Sequence, residues 1–351
     1  MKKILSLILA SSAIVLAASC GKLIQEEENI VPASGQVCSF SVGVAVEGAG
    51  ATRADAFTDA QGYEEAANGV QYLIFGADGL EKYEEVSTKD PKDFILKPGD
   101  KTVYAVVNGS DLKSITSESA LLSQMFYLSD ESRDASKGFQ MMGKASVTVG
   151  KSTPATTVRV RRIAARVTLK SVINNLPESY SALTIERVWL SNVRGDWNAN
   201  ASGLSLWHNR QGRSDDNEAN IIDGVTHKAE VEAMTYSAVG QSVAKGTPYQ
   251  PSSPVMLYCY PNSSTVTPDG WQTWTDEGQR TIFVIEASVD GTKCYYPVVL
   301  SGVERNSAYT IYATISNVGS DDPNDPIDKT AAEISVSVDP WEDGGVLSPD
   351  M

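Results

Sequence analysis

The chain has 351 residues, of which 42% are hydrophobic and 21% are charged, so it is long enough for one or two domains with cores of their own. Its formal net charge of −15 argues against binding nucleic acid or anionic lipid by electrostatic attraction, and it favours solubility outside the cell. Four cysteines in a chain of this length do not make a disulfide-dense scaffold.

The chain begins with a secretory signal. Lys2 and Lys3 precede an apolar run that ends at Leu16, and small residues then lead to Cys20. The run is shorter than the roughly 20 residues that cross a bilayer, so residues 1–19 are predicted to be a signal peptide. Small residues before a cysteine resemble the lipobox of bacterial lipoproteins, which predicts a lipid on the Cys20 thiol. An ordinary signal peptide with an incidental cysteine is the alternative.

A segment with an apolar residue at every second position predicts the first strand. Its apolar positions are Cys38, Phe40, Val42, Val44 and Val46. The stretch that follows is rich in glycine and alanine and contains Arg53, a composition that keeps a loop open to proteases. Cleavage between Arg53 and Ala54 would cut the link to the first strand, which could then leave and uncover a groove with unpaired edges.

From here to the C-terminus the dominant pattern is strand-like alternation that stops at turn residues. The predicted strands are Val70–Phe75, Thr102–Val107, Ser146–Val149, Thr184–Leu190, Val255–Tyr260, Thr281–Val289, Cys294–Leu300, Ala308–Ile315 and Glu333–Val338. One short helix is predicted around Ser117–Phe126. Strands of this length and spacing indicate an all-β protein built from sandwiches.

A change in the phase of the alternation marks a boundary. Apolar positions are even-numbered at Val158 and Val160, and after a pair of arginines they are odd-numbered at Ile163, Ala165, Val167 and Leu169. Because successive side chains point to opposite faces of a strand, the change requires a bulge or a strand that passes from one core to another. We place the domain junction there, which predicts sandwich domains at residues 54–160 and 161–351.

Seven different short motifs follow one another along most of the chain. They are Tyr72–Phe75 with a turn at Asp78-Gly79, Tyr104–Asn108, Phe139–Gly143, Val158–Arg162, Ala165–Val167, Tyr309–Ile311 and Ile334–Trp341. In this order they resemble the Bacteroidales fimbrillins, the type V pilins that include major, minor and tip fimbrial subunits. The resemblance implies an all-β chain of two transthyretin-like β-sandwich domains in tandem, after a lipoprotein signal peptide and a lipidated pro-segment at residues 20–53.

The same resemblance implies a fimbrial (pilus) subunit that supports cell adhesion. The precursor would be anchored to the outer membrane by lipid, cut by an arginine-specific protease, and assembled head to tail with copies of itself and other fimbrial subunits at the cell surface. Ile334, Val336 and Val338 of the last predicted strand alternate as the first strand does, and they are the predicted donor residues. The alternative is that this segment is the last strand of its own domain.

No sequence motif indicates an enzyme, a metal or a cofactor. The histidines, His208 and His227, lie in no catalytic or metal-binding motif, and they are expected on the polar surface. The acidic run Asp321–Asp328 lacks the glycine of a calcium-binding EF-hand loop, so a solvated linker is favoured.

The alternative function is that of a surface glycan-binding lipoprotein. Such a protein would keep its lipid anchor, remain uncut and bind sugar on exposed aromatic rings. The candidate rings are those of Trp189, Trp197, Trp207, Trp271 and Trp274. The favoured interpretation is that these rings belong to the core of a sandwich or to its rim, as tryptophans in sandwiches more often do.

Two cysteines, Cys259 and Cys294, would remain after cleavage at Arg53. They lie in separate predicted strands. They either form a disulfide in the oxidising exterior or stay as two buried thiols.

Overall fold

The computed structural model describes residues 37–47, 61–210, 221–222, 225–226, 229–251, 255–267, 278–323 and 332–340. The strands are β1 Cys38–Val46, β2 Val70–Gly76, β3 Gly79–Val86, β4 Lys92–Leu96, β5 Gly99–Val107, β6 Phe126–Tyr127, β7 Met141–Val149, β8 Thr156–Arg162, β9 Ala165–Asn174, β10 Leu183–Ser191, β11 Val193–Arg194, β12 Asp196–Trp197, β13 Trp207–His208, β14 Ile221–Ile222, β15 Val225–Thr226, β16 Tyr236–Ser242, β17 Val255–Cys259, β18 Ile282–Val289, β19 Thr292–Val299, β20 Ser307–Ile315 and β21 Ala332–Pro340. The helices are α1 Gly62–Glu65, α2 Glu118–Leu122 and α3 Glu232–Thr235, with 3₁₀ turns at Leu128–Asp130 and Ala229–Val231. The predicted all-β fold is confirmed.

The predicted helix around Ser117–Phe126 exists but is shorter. The Ser117 hydroxyl accepts a hydrogen bond from the Ala120 amide at 3.2 Å, which caps the first turn of α2. The helix ends before Phe126, because that residue lies in β6 and pairs with Trp197 of β12. Within the described residues, no helix is long and apolar enough to cross a membrane.

The first sandwich is one seven-stranded sheet in the order β3-β2-β5-β7-β8-β1-β4. Strands β7 and β8 pair at only two positions, next to Arg161 and Arg162. Side chains from β8, β1 and β4 share one core with side chains from β2, β5 and β7, so the sheet folds over on itself. That core contains Phe40, Tyr72 and Phe94, among others.

The second sandwich packs the sheet β16-β10-β18-β19 against the sheet β17-β9-β20-β21. The chain enters it directly from the first sandwich, because β8 is followed by the buried Ile163 and then by β9. Strand β9 is buried on both faces along most of its length. One face of β9 lies in the larger core, which also contains Phe75 and Tyr104 of the first sandwich, and the other face carries Arg166, which pairs with the buried Glu64 of α1.

Candidate functional site

Strand β1 lies between two strands of the first sandwich. Its first half, Cys38–Val42, pairs antiparallel with β4, and its second half, Val42–Val46, pairs parallel with β8. Among the described strands, β1 is the only one that pairs with β4. Removing β1 would therefore leave unpaired backbone edges on both β8 and β4.

The inward side chains of β1 are part of the core. Phe40 is 1% exposed, Val42 is 0% exposed, and Cys38, Val44 and Val46 are also buried. Burying a side chain of the size of valine or phenylalanine contributes about 1.5–3 kcal/mol. Loss of β1 would therefore open an apolar groove along the first sandwich.

The end of β1 is held at the junction of the two sandwiches. The Glu47 amide donates to the Val160 carbonyl at 2.8 Å. The Glu47 carbonyl accepts a hydrogen bond from Nη1 of Arg162 at 3.1 Å, and its carboxylate pairs with Nε of Arg161 at 3.4 Å. Both arginines of the predicted junction thus contact the residue that follows β1.

Arg162 is fully buried and bridges several segments. Its Nε donates to the Glu64 carbonyl at 2.7 Å, and its Nη1 also reaches Oδ1 of Asn306 at 3.1 Å. One guanidinium therefore contacts Glu47 and Glu64, which lie on either side of the segment that contains the predicted cleavage site. Arg53 and Ala54 themselves lie outside the described residues.

The segment downstream of that site is tied to the second sandwich. The Glu64 carboxylate in α1 pairs with Nη1 of Arg166 at 3.1 Å and accepts a hydrogen bond from the Tyr258 hydroxyl at 2.6 Å. Glu64 and Arg166 are both 0% exposed. Burial and the neighbouring Glu64 raise the pKa of Tyr258 well above its ordinary value, so its hydroxyl stays protonated and donates.

A second buried carboxyl lies at the junction. Glu131 accepts hydrogen bonds from the Gln140 amide and the Tyr260 hydroxyl, both at 2.8 Å. Burial raises the pKa of Glu131 to about 8. This group is therefore largely protonated at neutral pH.

Strand β21, at the other end of the chain, lies at a sheet edge. All nine of its residues pair antiparallel with β20, on its own second sandwich. Ile334 and Val336 are partly buried against the larger core, whereas Val338 is 52% exposed. In this structure the segment is thus the last strand of its own domain, and its role as a donor to another subunit stays a prediction.

Four residues singled out in the sequence are buried, one against expectation and three in agreement with the favoured interpretation. His208 is fully buried rather than on the surface, with its ring 3.7 Å from the Glu230 carboxylate. Trp189, Trp197 and Trp207 are at most 8% exposed, so these three rings do not form an exposed sugar-binding platform. Cys20, His227, Trp271 and Trp274 lie outside the described residues, as does most of the run Asp321–Asp328.

Cys259 and Cys294 are both buried and both free in this structure. This is the second of the two alternatives left open by the sequence. Burial raises the pKa of Cys259 to about 12, so the thiol stays protonated and packs as a small apolar side chain.

The tandem sandwiches are similar in fold to solved structures of a fimbrilin and of a proposed cell adhesion protein. The chain is similar to the fimbrilin FimA from Porphyromonas gingivalis, with a TM-score of 0.60, 14% identity, and coverage of 89% of this chain and 99% of that one. It is similar to a proposed cell adhesion protein from Bacteroides eggerthii, with a TM-score of 0.59, 18% identity, and coverage of 88% and 97%.

The tip fimbrial protein Mfa3 from P. gingivalis, in a form with a C-terminal truncation, has a TM-score of 0.50 and 12% identity, with coverage of 86% and 100%. At these identities the similarity establishes the fold. No protein-family model and no curated protein sequence matches the chain. The resemblance of the sequence motifs to fimbrillins is confirmed in the three-dimensional structure.

Proposed function

We propose that this chain is a structural subunit of a surface fimbrium. It is exported as a lipoprotein, cleaved after Arg53 and polymerised by β-strand exchange, and it has no enzymatic activity. Its partners are copies of itself and other fimbrial subunits, and its processing enzyme is an arginine-specific protease. The observation that carries the proposal is the interior position of β1, whose removal would open an apolar groove between β8 and β4.

Cleavage must come before polymerisation, because the chain that follows β1 ties this strand to its own subunit. While residue 47 is joined to residue 61, β1 competes for its own groove at an effective concentration of about millimolar or higher. A second subunit in solution offers its strand at a far lower concentration. The uncut protein therefore stays monomeric, and cleavage turns β1 into a separate segment that another strand can replace.

Strand β21 is suited to be the replacement. It has the same nine-residue length as β1 and the same period-two pattern, and it pairs with one strand where β1 pairs with two. Moving into the groove would bury Val338 and give β21 a backbone partner on each side, as in β-augmentation. Each subunit would then fill the groove of the next, a head-to-tail arrangement that does not close.

The cut is tested with Arg53→Ala in the purified precursor. We expect this variant to stay an uncut monomer in the presence of an arginine-specific protease, while the wild type forms polymers that start at Ala54. As a matched control, the site of an unrelated protease replaces the Arg53 segment, and that protease should restore assembly. A surface form that begins at acylated Cys20 would instead favour the glycan-binding alternative.

The donor strand is tested with Val338→Asp. Because Val338 is half-exposed in the monomer, the substitution should leave the cleaved monomer folded, but a buried charge in the groove would cost several kcal/mol. We expect no polymers by electron microscopy. Ser337→Asp is the control, because Ser337 points outward on the same strand and should tolerate the charge. Long polymers of folded, cleaved Val338→Asp would rule out β21 as the donor.

The lipid anchor is tested with Cys20→Ala. We expect the variant to incorporate no labelled fatty acid and to fail to reach the cell surface, because lipidation requires the thiol. Cys38→Ala is the matched control, and it should keep the label. Unchanged surface yield of Cys20→Ala would contradict the lipoprotein assignment.

A further inference from the structure

The end of β1 and the end of β21 have the same pattern of residue types. Residues 42–47 read Val-Gly-Val-Ala-Val-Glu, and residues 334–339 read Ile-Ser-Val-Ser-Val-Asp. In both segments a β-branched apolar residue stands at the first, third and fifth positions, a small residue at the second and fourth, and an acid at the sixth. The two patterns match when both segments are read from the N-terminal to the C-terminal end.

Resting on the proposed function, we infer that β21 enters a neighbour's groove in one register, parallel to β8, with Asp339 in the place of Glu47 and paired to Arg161. Asp339 is then the residue that determines the register. Strand exchange itself does not require this register.

The apolar positions fit this register. Val42, Val44 and Val46 are at most 8% exposed in the core, and they would be replaced by Ile334, Val336 and Val338. One exchange adds a single methylene and two leave the side chain unchanged. A shift by one residue would turn the serines of β21 towards the core, because successive side chains alternate in direction.

The small positions fit as well. A Cβ atom at Gly43 would lie 3.6 Å from Cγ of Pro91, which is ordinary van der Waals contact. A Cβ atom therefore fits at this position, and Ser335 adds one hydroxyl beyond it. Ala45 is half-buried, and Ser337 is of nearly the same size.

A shift by two residues is the main competitor. It would bring Ile334 to the place of Phe40, where the proposed register brings the smaller Ala332. However, it would also bring Pro340 to the place of the buried Val46, and it would move Asp339 to the half-buried place of Ala45, opposite Arg159 instead of Arg161. In the proposed register Pro340 follows the last paired position, and the acid stays beside the arginines.

The two arginines have different roles in this scheme. Nη1 of Arg162 contacts the main-chain carbonyl of residue 47, a contact that any occupant can restore. Arg161 contacts the carboxylate of Glu47 itself, so it selects an acid. Arg161 is partly exposed, so its side chain can follow the shorter Asp339.

Cross-linking measures the register directly. Ala45 is paired with Arg159, so the register predicts that Ser337→Cys forms a disulfide with Arg159→Cys of the next subunit in cleaved polymers. Thr157→Cys is the matched control, since Thr157 lies two residues away on the same exposed face of β8 and would face residue 337 in the register shifted by two. Arg161 is left intact because it is the proposed partner of Asp339. In the monomer residue 337 faces Thr310 of β20, which excludes an internal bond.

We expect a ladder of linked subunits on a non-reducing gel for the Arg159→Cys protein alone. A ladder with Thr157→Cys would overturn the register and leave strand exchange standing. Polymers without a ladder at either position would overturn the register as well, whereas long polymers of folded, cleaved Val338→Asp would overturn the proposed function.

Charge exchange tests the pairing of Asp339. Asp339→Lys and Arg161→Glu should each slow polymerisation of cleaved protein by about fivefold, the scale of a partly exposed ion pair, and the two together should restore the rate. Arg159→Glu combined with Asp339→Lys is the control and should not restore it. Additive losses in the Asp339–Arg161 pair would overturn the role of Asp339.

Discussion

Strands β1 and β21 have the same length and nearly the same pattern of residue types, but they occupy opposite environments. β1 is an interior strand whose inward side chains are buried, whereas β21 has one partner among the described strands and a half-exposed Val338. The same pattern of residue types thus forms a strand in both places, whereas the position of the strand in its sheet determines the free energy needed to remove it. A strand held as β1 is needs its tether cut before it can be exchanged.

The largest expected effect is on the accessibility of Cys38, a buried free thiol in β1. In the uncut precursor its alkylation requires the opening of β1. After cleavage and addition of excess donor peptide of residues 332–340, we expect alkylation to be faster by on the order of a thousandfold, because the protecting contacts are lost. Mass spectrometry would follow the label, with the buried Cys259 and Cys294 as internal controls. Equal protection before and after would mean that β1 stays in place.

Truncating one side chain in each strand measures their difference in stability. Phe40→Ala should lower the free energy of unfolding of the precursor by about 3–5 kcal/mol, because it leaves a cavity in a closed core. Urea unfolding followed by tryptophan fluorescence would give the value. A loss under about 1 kcal/mol would mean that β1 is no more firmly held than an edge strand.

A smaller effect is expected from pH, which acts on the junction without altering either strand. Because burial raises the pKa of Glu131 from 4.5 to about 8, the folded protein retains a proton that the unfolded chain releases. The contribution of Glu131 to the unfolding free energy is therefore complete below about pH 4.5 and falls as the pH rises towards 8. Urea titrations at several pH values would show the decline, and Glu131→Gln should flatten it. An equal decline in Glu131→Gln would assign the effect to other groups.

The smallest effect is expected at β21. Val338→Ala should change the stability of the uncut precursor by less than about 0.5 kcal/mol, since half of the side chain is already in water. The same change should slow polymerisation, because the groove would bury that position. Calorimetry and light scattering would measure the two quantities separately. A large loss of monomer stability would place β21 among the firmly held strands and remove the contrast.

Period-two alternation was enough to predict most of the long strands, including β1 and β21. It also predicted a change of core after β8, which coincides with the passage to a second sheet. The phase of apolar residues carries this information because each strand has one face towards a core. Alternation carried no information about pairing, so the interior position of β1 and the edge position of β21 came from the structure alone.

The buried charged residues between the two sandwiches could not be predicted for a related reason. Glu64, Arg162 and Arg166 are charged, and a charged residue is usually assigned to the surface. They are buried because the second sandwich covers that face of the first. A partial signal was present, since Arg166 stands within the run Ala165–Leu169, which is buried on both faces. A charged residue inside a predicted strand indicates a buried ion pair only when its partner is known.

The bridge made by Arg162 has a consequence for folding during export. Arg162 and Glu47 are 115 positions apart in the chain, and the parallel pairing of β1 with β8 spans a similar distance. Pairings between such distant segments form slowly, because a long loop must close first. We therefore expect the first strand to remain unpaired until the chain has been secreted beyond residue 162. The segment nearest the predicted lipid would then be among the last to fold, and the precursor would stay competent for translocation until β8 arrives.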